Sequence, residues 1–156
     1  MIVDSGNRTE FESGAVRDIQ EGKGRCDLLP LDVIGELLRD TEGHHNVLVT
    51  LSLFIDTGDP LYLKCALAHF IKIREWDAST MLLEVAKHFE EGALKYGERN
   101  WEKGIPVRCY IDSGVRHFLK FMRGDDDERH DRAFCWNILC AWWTCIHIPE
   151  LNDYKK

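Results

Sequence analysis

The chain has 156 residues, 44% apolar and 30% charged, with a formal net charge of −7 and a pI of about 5.5. That length and apolar content suit one domain with a real core and exclude a mostly disordered chain. The acidic balance speaks against general nucleic-acid binding, which needs a basic surface. Residues 1–14 carry acids and no apolar leader core. The longest apolar run, Ala133 to Ile148, contains Asn137 and His147 and is too short to cross a bilayer. The expectation is a cytoplasmic chain with no membrane partner. Six cysteines without a CxxC pair read as small buried groups in a reducing compartment.

In chain order, residues 1–22 are polar and predict a flexible arm that is loose or orders against a partner. Residues 23–150 are expected to form a single helical nucleotide-binding domain. A glycine-punctuated loop around Lys23, Arg25 and Asp27 leads into a short helix at 31–39. Asn46 can cap a helix to about Asp56, although Val47, Val49, Leu51, Leu53 and Ile55 also alternate as in a strand. Asp59-Pro60 opens a helix to about Arg74. Asp77 caps a helix over 78–96 that Gly97 ends, and Gly124 stops another over 107–123. The last helix is predicted over 128–147, with the acids Asp125 to Asp127 before it and Pro149 after it. The prediction is an all-α bundle of five to six helices.

Three faces carry candidate chemistry. On 78–96, Leu82, Val85, Phe89, Ala93 and Tyr96 form one side, while Glu84, Lys87, His88, Glu91 and Lys95 form another. Carboxylates on facing helices hold divalent metals in bundles, so Glu91, with Glu90 as a lesser candidate, is a possible ligand; a solvated charged face fits the same spacing. On 107–123, Arg108, Arg116, Lys120 and Arg123 gather on the polar side with Asp112, and His117 sits at its edge. Such a face attracts phosphate, or simply balances Asp125 to Asp127. Glu128 and Asp131, at i and i+3 of the last helix, share a face and would suit Mg2+, although acids are also common in first turns. The segment Lys95-Tyr96-Gly97-Glu98-Arg99-Asn100-Trp101 combines cations, an amide and stacking rings, a mixture that suits a nucleotide and also a capped connector. From Ala133 to Trp143 only Asn137 is polar, so the last helix is central or lies between subunits, and Asn137 either bonds backbone or reads a base edge.

His88 through Gly104 resembles the signature of a phage and bacterial domain family named for dATP/dGTP diphosphohydrolase. So do residues 22–30, Asp112 to His117, and His130 through Asn137, in the same order. The family is similar to the all-α, MazG-like nucleoside triphosphate pyrophosphatases. The resemblance implies a Mg2+-dependent bundle, usually a homo-oligomer, here through the apolar last helix, that hydrolyses a nucleotide. Its acidic motif, ExxE then ExxD, is met by Glu128 and Asp131, whereas Glu91 is followed by Leu94 where the pattern wants an acid. Residues 46–77 look like an insertion relative to shorter members.

The leading expectation is a phage-type hydrolase of deoxynucleoside triphosphates, acting in the host cytoplasm if phage-encoded. Glu90, Glu91, Glu128 and Asp131 are expected at the metal. Glu91, His117 and His130 are expected to be catalytic. Lys23, Arg25, Asp27, Lys95, Tyr96, Arg99, Asn100, Trp101, Arg116, Lys120 and Asn137 are expected at the substrate. The rival reading is a non-catalytic binder that sequesters a signalling nucleotide against host defence. A helical interaction module without a ligand is the third.

Overall fold

The computed structural model describes residues 6–19, 24–29 and 45–156. The helix predicted at 31–39 and Lys23 lie outside the described residues. Five α-helices occur among the described residues: α1 (His45–Thr57), α2 (Leu61–Ile73), α3 (Ala78–Tyr96), α4 (Val107–Arg123) and α5 (His130–His147). A two-stranded antiparallel hairpin precedes them, β1 (Arg8–Glu10) and β2 (Val16–Asp18), with Thr9 opposite Arg17. The all-α bundle expected from the periodicity is what forms.

The helices begin and end where local chemistry directs. The Asp77 carboxylate accepts from Thr80 N at 2.6 Å and caps α3. On α1, Val47, Leu48, Leu51 and Phe54 are fully buried while Leu53 is exposed. That spacing is helical, and it resolves the strand alternative against Leu53. Gly58 ends α1 with φ +68°, where a Cβ would lie 2.6 Å from the Tyr154 carbonyl oxygen. Asn152 Nδ2 donates to the Gly58 carbonyl at 2.9 Å, so the C-terminal turn is fastened to the end of α1.

α5 is the central helix and packs against α2, α3 and α4. Its Phe134, Ile138 and Ala141 are fully buried, as expected of a helix apolar all round. α4 approaches it closely at Gly114, where an added Cβ would meet Ile138 Cδ1 at 3.0 Å.

Three expectations are corrected. The predicted arm contains the hairpin, which packs on its own bundle: Ala15 is fully buried, and Ser13 Oγ donates to the Gly104 carbonyl at 2.5 Å. A lone hairpin is marginal in water, so the bundle supplies its stability. On α3 the buried stripe is Met81, Val85 and His88, and Leu82 is exposed. The apolar stripe is therefore rotated from the one periodicity suggests, because α5 offers Trp136 to the His88 ring, with centroids 5.3 Å apart. Finally, α5 starts at His130 rather than at Glu128.

Candidate functional site

A cavity of about 760 Å³ opens between β2, the C-terminal half of α3, the loop after it, α4 and the start of α5. Its size suits a ligand of nucleotide dimensions. α4 contributes Ser113, Arg116, His117 and Lys120, which fall at i, i+3, i+4 and i+7 and so share one face. α3 and its loop contribute Phe89, Glu90, Lys95, Tyr96, Arg99 and Trp101, and α5 adds Trp136 and Asn137. Phe89 lies 5.3 Å from Trp101 and 5.9 Å from Trp136, centroid to centroid, making an aromatic wall. The cationic side chains and the rings are thus brought into one chamber from segments far apart in sequence.

Most of the expected substrate residues line this cavity, but several are already engaged. Arg116 donates to the Gly24 carbonyl at 2.6 Å and pairs with Asp112. Asp112 is buried and also accepts from Cys26 N at 2.5 Å, so Asp112 and Arg116 together pin residues 24–29 onto α4. Arg25 pairs with Asp27 at 2.5 Å, and neither lines the cavity. Lys120 pairs with Asp127 at 3.1 Å, and Arg99 with Glu102 at 2.7 Å. Arg8 sits over the Tyr96 ring, 5.2 Å from its centroid.

Asn100 and Asn137 line the cavity with their amides bonded to other parts of the protein. Asn100 Oδ1 accepts from Val16 N at 2.9 Å, and its Nδ2 donates to the Val16 carbonyl at 2.8 Å. Its amide thus serves β2 as a neighbouring strand would. Asn137 Nδ2 donates to the Ala133 carbonyl at 2.9 Å, and its Oδ1 accepts from Arg17 Nη2 at 3.0 Å. Arg17 is the cation that sequence reasoning missed. It reaches from β2 into the cavity wall, its guanidinium 5.1 Å from the centre of the Tyr110 ring, and its Nη1 is buried with no hydrogen-bond partner among the described residues. A buried guanidinium N–H without an acceptor suits an anionic ligand.

The expected metal set does not converge. Asp131 pairs with Arg74 and Arg129, each at 3.1 Å, and Glu91 with Arg132 at 2.8 Å. Burial alone would raise the Asp131 carboxyl, but hydrogen bonds from Arg129 and the Arg132 amide outweigh it and hold it below the usual range. Because α5 begins at His130, Glu128 precedes the helix and the i, i+3 geometry with Asp131 fails. Glu90 and Glu128 line the cavity, whereas Glu91 and Asp131 do not. The four acids therefore do not fit the Mg2+ site that the ExxE and ExxD pattern describes.

Instead, Glu128 faces two histidines. Its Oε1 lies 3.2 Å from His117 Nδ1 and 3.6 Å from His130 Nδ1, and the two Nδ1 atoms are 2.9 Å apart. His130 Nε2 donates to Asp127 Oδ1 at 2.6 Å. In the tautomer that carries its proton on Nε2, His130 has a lone pair at Nδ1, which faces His117 Nδ1. Hydrogen bonds from His130 and Lys120 hold the Asp127 carboxyl at about 2. Burial, reinforced by His130, pushes His117 well below the usual imidazole value, so it is neutral at pH 7. Asp127, three residues before His130, is expected from the sequence at the helix dipole or as charge balance for the basic face, and its bond to His130 adds a third role.

Residues 64–154 match the family described as dATP/dGTP diphosphohydrolase, N-terminal. The match takes in more than half of the chain. The chain belongs to this family. The matched span includes every cavity wall except β2, and it begins within the segment 46–77 read as an insertion. Membership points to dATP/dGTP diphosphohydrolase-like function. No curated protein and no solved structure matches the chain. Among the described residues, no helix is long and apolar enough to cross a membrane.

Proposed function

We propose that the cavity binds a purine deoxynucleoside triphosphate and that the protein hydrolyses one of its phosphoanhydride bonds. The observation that carries this reading is a single chamber combining cations with an aromatic wall, in a chain of this family. Arg17, Arg116 and Lys120 are the groups for the phosphates, and the wall of Phe89, Trp101 and Trp136 is the surface for the base. Tyr96, Lys95 and Arg99 border the same chamber and complete the expected contacts. Water attacks a phosphorus, the phosphoanhydride P–O bond to that phosphorus breaks, the leaving phosphate takes the bridging oxygen with its electron pair, and the water's proton passes to the cluster of His117, His130 and Glu128. The His117, His130 and Glu128 cluster supplies the catalytic groups. Glu90 also lines the chamber, on the α3 side.

The test is to incubate the protein with dATP or dGTP and Mg2+ and to resolve the products by anion-exchange chromatography. Release of a shorter nucleotide is the expected result. No product over hours with folded protein overturns hydrolysis.

A second reading is favoured by one observation. Glu91 and Asp131, the acids expected to hold the metal for cleavage, are paired with arginines instead. That protein would be a binder that sequesters a signalling nucleotide. A rise in melting temperature with nucleotide, together with recovery of intact ligand, distinguishes it.

A further inference from the structure

We infer that His117 Nδ1, His130 Nδ1 and a Glu128 carboxylate oxygen form a site for a transition-metal cation of the zinc, cobalt or manganese class. The inference rests on the hydrolase reading for what the ion does, but not for whether the ion binds.

The geometry carries it. The three ligand atoms are 2.9, 3.2 and 3.6 Å from one another. Ligand atoms around a tetrahedral ion with bonds of about 2.0–2.1 Å stand roughly 3.3 Å apart. An ion can therefore sit between these three with little movement of α4 against α5. Three protein ligands with a fourth position open is the arrangement of catalytic sites. Asp127 completes it from outside. Its carboxylate accepts a hydrogen bond from His130 Nε2 at 2.6 Å, the partnership that fixes the tautomer of a metal-binding imidazole. His117 and Glu128 both line the cavity, so an ion held by them borders the substrate chamber and can polarise a phosphoryl oxygen.

The donor set selects the metal. Two imidazoles and one carboxylate suit zinc, cobalt or manganese better than Mg2+, which prefers oxygen ligands and its own water. A second cluster, Asp125, Asp127 and His130, also falls within ligand distance. Its acids are paired with Arg123 and Lys120, and Asp127 is half exposed, so the histidine-rich set is favoured. The protons balance without loss. As the ion takes both Nδ1 lone pairs, the proton on His117 Nδ1 moves to its Nε2, and His130 keeps the Nε2–H that Asp127 accepts.

The test uses the full chain, free of any histidine tag and without nucleotide, titrated with Co2+ while visible absorption is recorded. The expected result is one equivalent bound, with the absorption of a four- or five-coordinate ion, displaced by Zn2+ and not by excess Mg2+. His117→Ala and Glu128→Gln should each weaken Co2+ by about 10- to 100-fold with unchanged circular dichroism, and Asp127→Asn by about tenfold. Asp125→Asn and Glu91→Gln should bind as wild type. The inference is overturned if folded wild type gives no absorption, if Glu128→Gln binds normally, or if Asp125→Asn or Glu91→Gln abolishes binding. Cobalt binding without any nucleotide-induced rise in melting temperature keeps the metal site and removes the nucleotide reading. A nucleotide-induced rise without cobalt binding does the reverse.

Discussion

Two sets of acids meet near the start of α5, and their neighbours differ. Asp131 and Glu91 face guanidinium groups, from Arg74 and Arg129 in one case and Arg132 in the other. Glu128 and Asp127 face the imidazoles of His117 and His130. Arginine is a permanent cation that cannot give up its charge, so the first set is committed to holding α2, α3 and α5 together. Imidazole can accept, donate or ligate, so the second set keeps its chemistry open. Carboxylates only a few residues apart thus do different work because of the partners the fold provides.

Substitutions on either side test that contrast. The largest expected effect is on turnover: Glu128→Gln or His117→Ala should lower it by about 100-fold or more, the range for loss of an acid–base or metal-holding group. Glu91→Gln should leave it near wild type. Equal losses in both sets would erase the distinction.

Stability should show the reverse order. Asp131→Ala removes the acid shared by Arg74 and Arg129 and should cost about 3 kcal/mol in denaturant unfolding. Glu128→Gln should cost about 1 kcal/mol. A destabilisation by Glu128→Gln as large as that of Asp131→Ala would make the histidine cluster structural.

Arg17→Ala should weaken nucleotide binding by roughly tenfold, which is about 1.4 kcal/mol, as read by isothermal calorimetry. Unaltered affinity would remove Arg17 from the phosphate site. A separate effect is in pH dependence. Burial, with the charge of Arg132, lowers His88 from 6.5 to about 3. The unfolded chain takes up this proton below 6.5, and the folded chain does not until about 3. Stability from this group is therefore lost as pH falls through that window. His88→Leu should flatten the dependence of unfolding free energy on pH between 6.5 and 4, by at most about 1.4 kcal/mol per pH unit. An unchanged slope would mean that His88 is solvated.

The helices were legible because their signals are local. Asp77, Gly97 and Gly124 mark termini, and helical spacing marks faces, without reference to the rest of the chain. The basic face of α4 was legible for the same reason. What failed depended on neighbours. Nothing within 78–96 says that a Trp136 ring will take His88 inward and leave Leu82 outside. The pairing of Glu128 with Asp131 required a helix that begins at Glu128, and the helix starts two residues later. Arg17 was invisible as a site residue because its polar surroundings read as a loose arm, and only its contacts with Asn137 and Tyr110 reveal its place. The acid–arginine pairs join α2, α3 and α5, a pairing that no spacing rule within one helix encodes.

The clasp of Asn100 on Val16 has a kinetic consequence. It joins residues 84 positions apart, and the Arg17 contact to Asn137 spans 120. Contacts so distant along the chain are slow to form, whereas the helical pairings beside them are nearly local. β2 is thus expected to dock after the bundle has assembled, making the binding chamber the last part of the protein to be built. Hydrogen exchange should find the Val16 amide opening before those of α4 and α5. A bound ligand that touches Arg17 would then act as mortar, slowing the departure of the β2 wall.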